Sequence, residues 1–109
     1  KTHTMKNRYN FWVYILTNPK KTVLYTGMTN DIQRRLQEHY EACERREDYF
    51  TAKYFCYNLL WYEWHQYVNN AIAREKQIKG WTRAKKVKLI TDFNPTWRFL
   101  NDDVMKGEW

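Results

Sequence analysis

The fold is decided by residues 11–39, which read FWVYILTNPKKTVLYTGMTNDIQRRLQEH. Residues 11–17 form a short apolar and aromatic run with β-branched members, and residues 22–28 form a second run of the same kind. Each run predicts a β-strand. The Asn-Pro-Lys-Lys sequence at 18–21 is typical of a turn, so the two runs together predict a hairpin.

A helix is predicted directly after the hairpin. Asn30 is a suitable N-cap residue, and the carboxylate of Asp31 complements the positive end of the helix dipole. Apolar residues from Ile32 to Cys43 recur on one face at helical spacing, which predicts a helix that ends near Glu44.

The second half of the chain predicts one more strand and two more helices. Residues 45–53 are charged and aromatic without a clear period and predict a loop, whereas residues 59–67 predict a third strand. Asn69-Asn70 caps a helix over residues 71–79, which Gly80 ends.

A third helix is predicted from residue 83 to residue 90, with Thr82 as its N-cap. The Asp-Phe-Asn-Pro sequence at 92–95 breaks this helix. In the tail that follows, we expect Trp97 and Leu100 to pack back onto the core.

The order β-β-α-β-α-α predicts an α/β fold, a small sandwich with a three-stranded mixed or antiparallel sheet flanked by helices. The chain has 109 residues, which predicts one domain over residues 11–109. Residues 1–10 are polar at their start and are interpreted as a flexible arm or a remnant of cloning.

The charge of the chain indicates a polyanionic partner. The formal net charge is +7 and the isoelectric point is near 9.5, which favours nucleic acid. No apolar run approaches the roughly 20 residues of a spanning helix, so no membrane partner is expected. Cys43 and Cys56 lack metal or redox spacing and, without a signal peptide, indicate reduced thiols in a cytoplasmic protein.

The first predicted helix brings two polar groups together. Its phase puts Arg35 at the border of the apolar face and Arg34 on the solvent side. Arg35 and His39 are four residues apart, so both can act on one ligand.

Glu75 lies within the apolar face of the second predicted helix. A carboxylate there needs a cation, a positive side chain or a raised pKa. One explanation is an ion pair with Lys79, four residues further on. The other is a divalent metal ion, because Mg²⁺ often takes only one or two protein carboxylates and keeps its waters.

The two tyrosines of the hairpin have an alternative interpretation as well. Tyr14 shares a strand face with Trp12 and Leu16, and Tyr25 shares one with Gly27. A tyrosine on each strand of a hairpin is also expected if both are half-buried sheet residues whose hydroxyl groups form hydrogen bonds. Periodicity alone therefore does not make either tyrosine catalytic.

Taken together, these residues resemble the GIY-YIG nuclease superfamily. Tyr25 and Arg35 are ten residues apart, and the similarity covers about residues 12–100. Within the superfamily, the chain is similar to small stand-alone bacterial members related to the nuclease domain of the excision-repair incision subunit. The resemblance rests on Val13-Tyr14-Ile15, Tyr25-Thr26-Gly27, Arg35, His39, Glu75 and Asn94.

The resemblance implies metal-dependent hydrolysis of DNA phosphodiesters, with DNA repair as the context. Glu75 would hold one divalent cation, Mg²⁺ or Mn²⁺, which polarises a phosphate oxygen and stabilises the leaving oxygen. Arg35 would bind the scissile phosphate, since its planar fork suits two oxygens. Tyr25 would position water or phosphate, and Asn94 would orient the site by hydrogen bonds.

The resemblance leaves open whether Tyr14 or His39 deprotonates the attacking water. A free phenol has a pKa near 10 and is a poor base at pH 7 unless a cation lowers that value. His39 has the better intrinsic pKa. We therefore expect a hydrogen-bonded arrangement in which a water lies between Tyr14 and His39.

Basic residues along the last two helices would bind DNA phosphates with salt-dependent, largely sequence-independent affinity. These basic residues are Lys76, Lys79, Arg83, Lys85 and Lys86.

The preferred DNA structure and the oligomeric state stay open, and RNA is not excluded.

Three rival interpretations remain, one of them a toxin or a protein-interaction domain that uses the aromatic surface. A nucleic-acid-binding module without catalysis would have the same charge and aromatic content, but it would not need Glu75 on an apolar face. A zinc site from His39, Cys43, Cys56 and His65 would lack the spacing of a finger or ribbon.

Overall fold

The structure is a computed structural model, and it describes residues 10–48 and 50–108. Within this part of the chain it has three strands and five helices. The arm expected at residues 1–10 lies outside the described residues except for Asn10. The elements are β1 (Phe11–Thr17), β2 (Leu24–Thr29), α1 (Ile32–Glu44), α2 (Phe50–Lys53), β3 (Asn58–His65), α3 (Val68–Lys79), α4 (Arg83–Phe93) and α5 (Asn101–Met105).

The three strands form one antiparallel sheet in the order β2-β1-β3. The predicted α/β fold with a three-stranded sheet flanked by helices is therefore confirmed. β1 is the central strand, which is why residues 13–17 are all buried. Its register places Tyr14 opposite Gly27 of β2 and opposite Tyr62 of β3.

One face of the sheet packs against α1 and α5. Because side chains alternate along a strand, β1 contributes Tyr14 and Leu16 to this face. They pack with Ile32 and Leu36 of α1 and with Val104 of α5. This first core cluster surrounds the ring of Tyr14.

The opposite face of the sheet packs against α3 and α4. β1 contributes Val13 and Ile15, which meet Ala71 and Ile78 of α3 and Ile90 of α4. The sheet is thus covered on both sides, and α3 contacts both β1 and β2.

Several helix ends differ from the prediction. The N-cap of α1 is Asp31 rather than Asn30, because the Asp31 side chain accepts a hydrogen bond from the N–H of Arg34. α3 begins at Val68 without a side-chain cap bond, so Asn69 and Asn70 lie inside its first turn. The predicted caps Thr82 and Gly80 are found in their expected places.

The segment predicted as a loop over residues 45–53 contains the short helix α2. Four residues are too few to show a helical period in the sequence. α2 buries Thr51 and Ala52. In the tail, Leu100 is buried as expected and precedes the helix α5, which was not predicted.

No helix among residues 10–48 and 50–108 is long and apolar enough to cross a membrane. Cys43 and Cys56 are buried and carry free thiols. Burial raises the pKa of both thiols, that of Cys56 to about 11.

Candidate active site

The ring of Tyr14 lies over the main chain of Gly27. A Cβ atom at Gly27 would lie 2.5 Å from the hydroxyl oxygen of Tyr14 and 2.6 Å from its Cζ. The absence of a side chain at Gly27 therefore makes room for the ring. Tyr14 is 1% exposed, so its position is fixed by packing as well.

The phenol of Tyr14 contacts the imidazole of His39 directly. The distance between Tyr14 Oη and His39 Nε2 is 3.0 Å. The expectation that a water lies between the two groups is therefore wrong. α1 packs close enough to the sheet to bring the two side chains into direct contact. The other ring nitrogen, Nδ1, lies 3.1 Å from Oγ1 of Thr51.

Thr51 was missed by the sequence analysis. It lies in α2, which holds its hydroxyl group against the buried side of His39. A single threonine in a charged, aperiodic segment carries no signal of such a role. The residue becomes recognisable only when the short helix is seen to pack against α1.

The environment keeps both partners neutral. Burial lowers the pKa of His39 to about 4, and the positive charge of Arg35 acts in the same direction against a smaller effect of Glu38. Burial raises the pKa of Tyr14, and the neighbouring Tyr25 adds to this rise, whereas Arg35 opposes it. At neutral pH the pair is thus a phenol and an uncharged imidazole.

Arg35 lies beside this pair with part of its side chain in solvent. The predicted helix phase is confirmed, since the side chain of Arg35 is 35% exposed and that of Arg34 is 57% exposed. Arg35 Nη1 donates a hydrogen bond to Oε1 of Glu38 at 3.0 Å. This bond orients the guanidinium group on the outer edge of the Tyr14–His39 pair.

Glu75 of α3 forms the ion pair with Lys79 that was one of its two predicted explanations. Glu75 Oε2 and Lys79 Nζ are 3.0 Å apart, and the Glu75 side chain is 21% exposed. The charge of Glu75 also contributes to the raised pKa of Tyr14. Glu75 therefore lies near enough to Tyr14 for an electrostatic interaction.

No group of three or more His, Cys, Asp and Glu side chains among the described residues is arranged to hold a metal ion. The zinc alternative is therefore wrong. His39 is bonded to Tyr14 and Thr51, and His65 Nε2 lies 2.8 Å from Oε1 of Glu63. Cys43 contacts the carbonyl of Thr51 as a buried thiol.

Tyr25 lies at the edge of the same cluster. Its ring meets the ring of His39 edge to face, with centroids 5.9 Å apart. Its other neighbour is Phe50 of α2, with which it stacks at 5.9 Å and 28°. Tyr25 is half-buried, in contrast to Tyr14.

The side-chain amide of Asn94 bonds to backbone carbonyl groups. Its Nδ2 donates hydrogen bonds to the carbonyl groups of Leu60 at 3.1 Å and Arg98 at 2.9 Å. These bonds fasten the end of α4 to β3. The predicted role of Asn94 in orienting the site stays a prediction, and it would act through the backbone.

The basic residues predicted to bind DNA all lie on α3 and α4. Lys79 forms an ion pair with Glu75, and the ammonium group of Lys85 lies 6.0 Å from the ring centroid of Trp81. Lys76 and Arg83 are exposed, whereas Lys86 is half-buried. Their contact with DNA stays a prediction.

The chain is similar to a known family and to proteins that belong to it. The model of the GIY-YIG catalytic domain matches residues 10–88. A solution NMR structure of a UPF0213 protein from Bacillus halodurans is similar at 28% identity and a TM-score of 0.47, covering 75% of this chain and 83% of that one.

Two relatives share more of the sequence. A UPF0213 protein from Clostridium perfringens is 34% identical over 80 residues, which cover 73% of this chain and 82% of the relative. A UPF0213 protein from Syntrophus aciditrophicus is 38% identical over 79 residues, which cover 72% of this chain and 87% of the relative. The family match and these two relatives together show that the chain belongs to the GIY-YIG family of nuclease-type domains.

Proposed function

We propose that this protein is a metal-dependent endonuclease that hydrolyses phosphodiester bonds of DNA. The observation that carries the proposal is the direct contact between Tyr14 and His39, next to the half-exposed guanidinium of Arg35. A neutral proton acceptor beside a phosphate-binding cation is what hydrolysis of a phosphodiester requires.

Glu75 is the residue that would hold the metal ion. Lys79 Nζ lies 3.0 Å from its Oε2, and the Glu75 side chain is 21% exposed. One carboxylate supplemented by water is a suitable donor set for Mg²⁺ or Mn²⁺. When bound, such an ion polarises a phosphate oxygen and stabilises the leaving oxygen.

Arg35 would bind the scissile phosphate. The guanidinium has five N–H donors in a planar fork, and Glu38 occupies Nη1. The guanidinium also interacts with the hydroxyl group of Tyr14, and its other donors suit two phosphate oxygens. The bond to Glu38 holds the fork in place before the substrate arrives.

Tyr14 and His39 would share the task of the general base. In the tautomer that accepts at Nε2, the phenol of Tyr14 donates to His39 while Nδ1–H donates to Thr51. The attacking water then gives a proton to the oxygen of Tyr14 as the phenolic proton passes to Nε2. The raised pKa of Tyr14 favours this relay over a free tyrosinate.

The proposal includes a role in DNA repair and a cytoplasmic location. The two buried free thiols are typical of a reducing compartment. The net charge of +7 suits DNA, to which the basic residues of α3 and α4 would bind through phosphates.

A plasmid-nicking assay with EDTA, Mg²⁺ or Mn²⁺ tests this proposal. We expect cleavage only with a divalent ion, and we expect Glu75→Gln to abolish cleavage while DNA binding persists. Glu41→Gln is the matched control, since Glu41 is an exposed carboxylate on the outer side of α1. Lys79→Met removes the ion pair but keeps the Glu75 carboxylate, so it shows whether loss of the ion pair alone affects cleavage.

Two results would contradict the proposal. Undiminished cleavage by Glu75→Gln would show that Glu75 does not hold a metal ion needed for the reaction. DNA binding without cleavage by the wild-type protein, with either metal, would favour the binding module instead.

A further inference from the structure

The outer side of α2 carries rings that the proposed chemistry does not use. Phe50 stacks on Tyr25, and Tyr54 contacts Phe50 with ring centroids 4.8 Å apart. Tyr25, Phe50 and Tyr54 thus form a continuous aromatic row. The row begins at the ring that meets His39 and extends onto the surface.

The outer members of the aromatic row are open to solvent. Phe50 is 46% exposed and Tyr54 is 44% exposed, and the next residue, Phe55, is 49% exposed. Single exposed rings are common on protein surfaces, but a contiguous group of them indicates a contact surface.

α2 ends in a tight turn next to the aromatic row. Phe55 has φ = 58°, which a bulky residue adopts only at a cost of about 1–3 kcal/mol. The turn is fixed by a hydrogen bond from the N–H of Cys56 to the carbonyl of Thr51, with an N···O distance of 2.8 Å.

α2 connects this surface to the candidate active site. Its buried Thr51 holds Nδ1 of His39, while Phe50 projects from the same helix to stack on Tyr25. A ligand that lies on the row is therefore next to the ring of Tyr25, which meets His39.

The chemistry of the surface favours one occupant. A net charge of +7 favours a polyanion, and Lys53 at the end of α2 adds an exposed positive charge beside the rings. Aromatic side chains bind nucleic acid by stacking on the faces of bases. In a duplex those faces are covered by neighbouring base pairs, whereas in a single strand they are accessible.

We propose that the aromatic row stacks the unpaired bases of a single-stranded DNA segment that enters the candidate active site. The protein would thus prefer substrates with unpaired nucleotides beside the cleaved bond. This inference rests on the proposed function for the site, but the binding of the strand can be measured without cleavage.

The experiment compares binding to a labelled single-stranded oligodeoxynucleotide and to its duplex by fluorescence anisotropy in EDTA. We expect the wild type to bind the single strand more tightly. Phe50→Leu/Tyr54→Leu keeps apolar side chains but removes the rings, so it should raise the Kd for the single strand about 5- to 100-fold. The Kd for the duplex should change by less than about twofold, because its contacts are to phosphates.

Tyr67→Leu is the matched control, because Tyr67 is an exposed ring outside the row, 58% exposed at the start of α3. It should bind both DNAs like the wild type. Tyr54→Leu alone is a second variant in case the double variant unfolds, which thermal melting would show. It should weaken single-strand binding by a smaller factor.

The outcomes separate the two proposals. The inference is overturned if the ring variants weaken both DNAs equally or neither, or if the wild type binds the duplex at least as tightly. Cleavage without ring-dependent binding would leave the proposed function standing. Ring-dependent binding without cleavage in Mg²⁺ or Mn²⁺ would support the role of the aromatic row and contradict the proposal that the protein is a nuclease.

Discussion

The phenol ring of Tyr14 occupies the space that a side chain at Gly27 would fill. The two residues are cross-strand partners on β1 and β2. Gly27 does not have the positive φ that often explains a glycine, since Gly107 is the glycine with positive φ among the described residues. Gly27 is therefore required for space, and that space decides where the Tyr14 hydroxyl lies.

Gly27→Ala should for this reason damage both stability and activity. The new Cβ would be 2.5 Å from Tyr14 Oη, and the buried ring cannot move without breaking its contact with His39. Overpacking of this kind typically costs about 1–3 kcal/mol. Chemical denaturation measures the free energy of unfolding, and the nicking assay measures activity.

Gly80→Ala is the control for this substitution. A Cβ at Gly80 would meet its nearest atom, a backbone oxygen, at 3.6 Å, which is an ordinary contact. This variant should be neutral or slightly more stable than the wild type, by up to about 1 kcal/mol. Equal stability of the two alanine variants would refute the steric role of Gly27.

The stability of the protein should depend on pH through His39. Its pKa is about 4 in the folded protein and 6.5 in an ordinary environment. The unfolded chain therefore binds a proton first as the pH falls, so stability is highest above about pH 6.5 and declines toward pH 4. The loss amounts to roughly 3 kcal/mol at most.

Denaturation at several pH values between 4 and 7 checks this dependence. His39→Gln keeps a hydrogen-bonding side chain but does not titrate, so it should flatten the curve. A slope that survives in His39→Gln would show that another group is responsible.

The sequence predicted those parts of the site that lie in long, regular elements. Arg35 and Arg34 were assigned to opposite sides because thirteen residues of α1 are enough for an amphipathic period. The hairpin likewise follows from two apolar runs around a turn, and it brings Tyr14 and Tyr25 to one side of the sheet.

Other parts could not be predicted because they depend on tertiary contacts. Thr51 acts on His39 through a four-residue helix, which leaves no period in the sequence. The exact N-cap was missed because Asn30 and Asp31 are both good caps, and only the contact with the N–H of Arg34 distinguishes them. The direct bond between Tyr14 and His39 depends on how closely α1 packs against the sheet.

Tyr14→Phe removes a single oxygen from the centre of the cluster. Loss of the proton relay should lower the single-turnover cleavage rate by about 10²- to 10⁴-fold without weakening DNA binding. Tyr40→Phe is the control, since Tyr40 is on the same helix as His39 and is 44% exposed. An unchanged rate in Tyr14→Phe would mean that its hydroxyl takes no part in the reaction.

Arg35→Ala should cost far more activity than Arg34→Ala, because Arg35 lies beside the Tyr14–His39 pair while Arg34 points to solvent. Arg35→Lys keeps the charge but loses the planar fork, so its cleavage rate should lie between those of Arg35→Ala and the wild type.

A second measurement tests the position of Arg35 independently of cleavage. Its charge lowers the pKa of His39, so an NMR titration should show that this pKa rises above about 4 in Arg35→Ala. Arg34→Ala should leave the titration of His39 in place. Equal losses of activity in the two alanine variants, together with an unmoved His39 titration, would show that α1 is rotated relative to the sheet and that the guanidinium does not face the phenol.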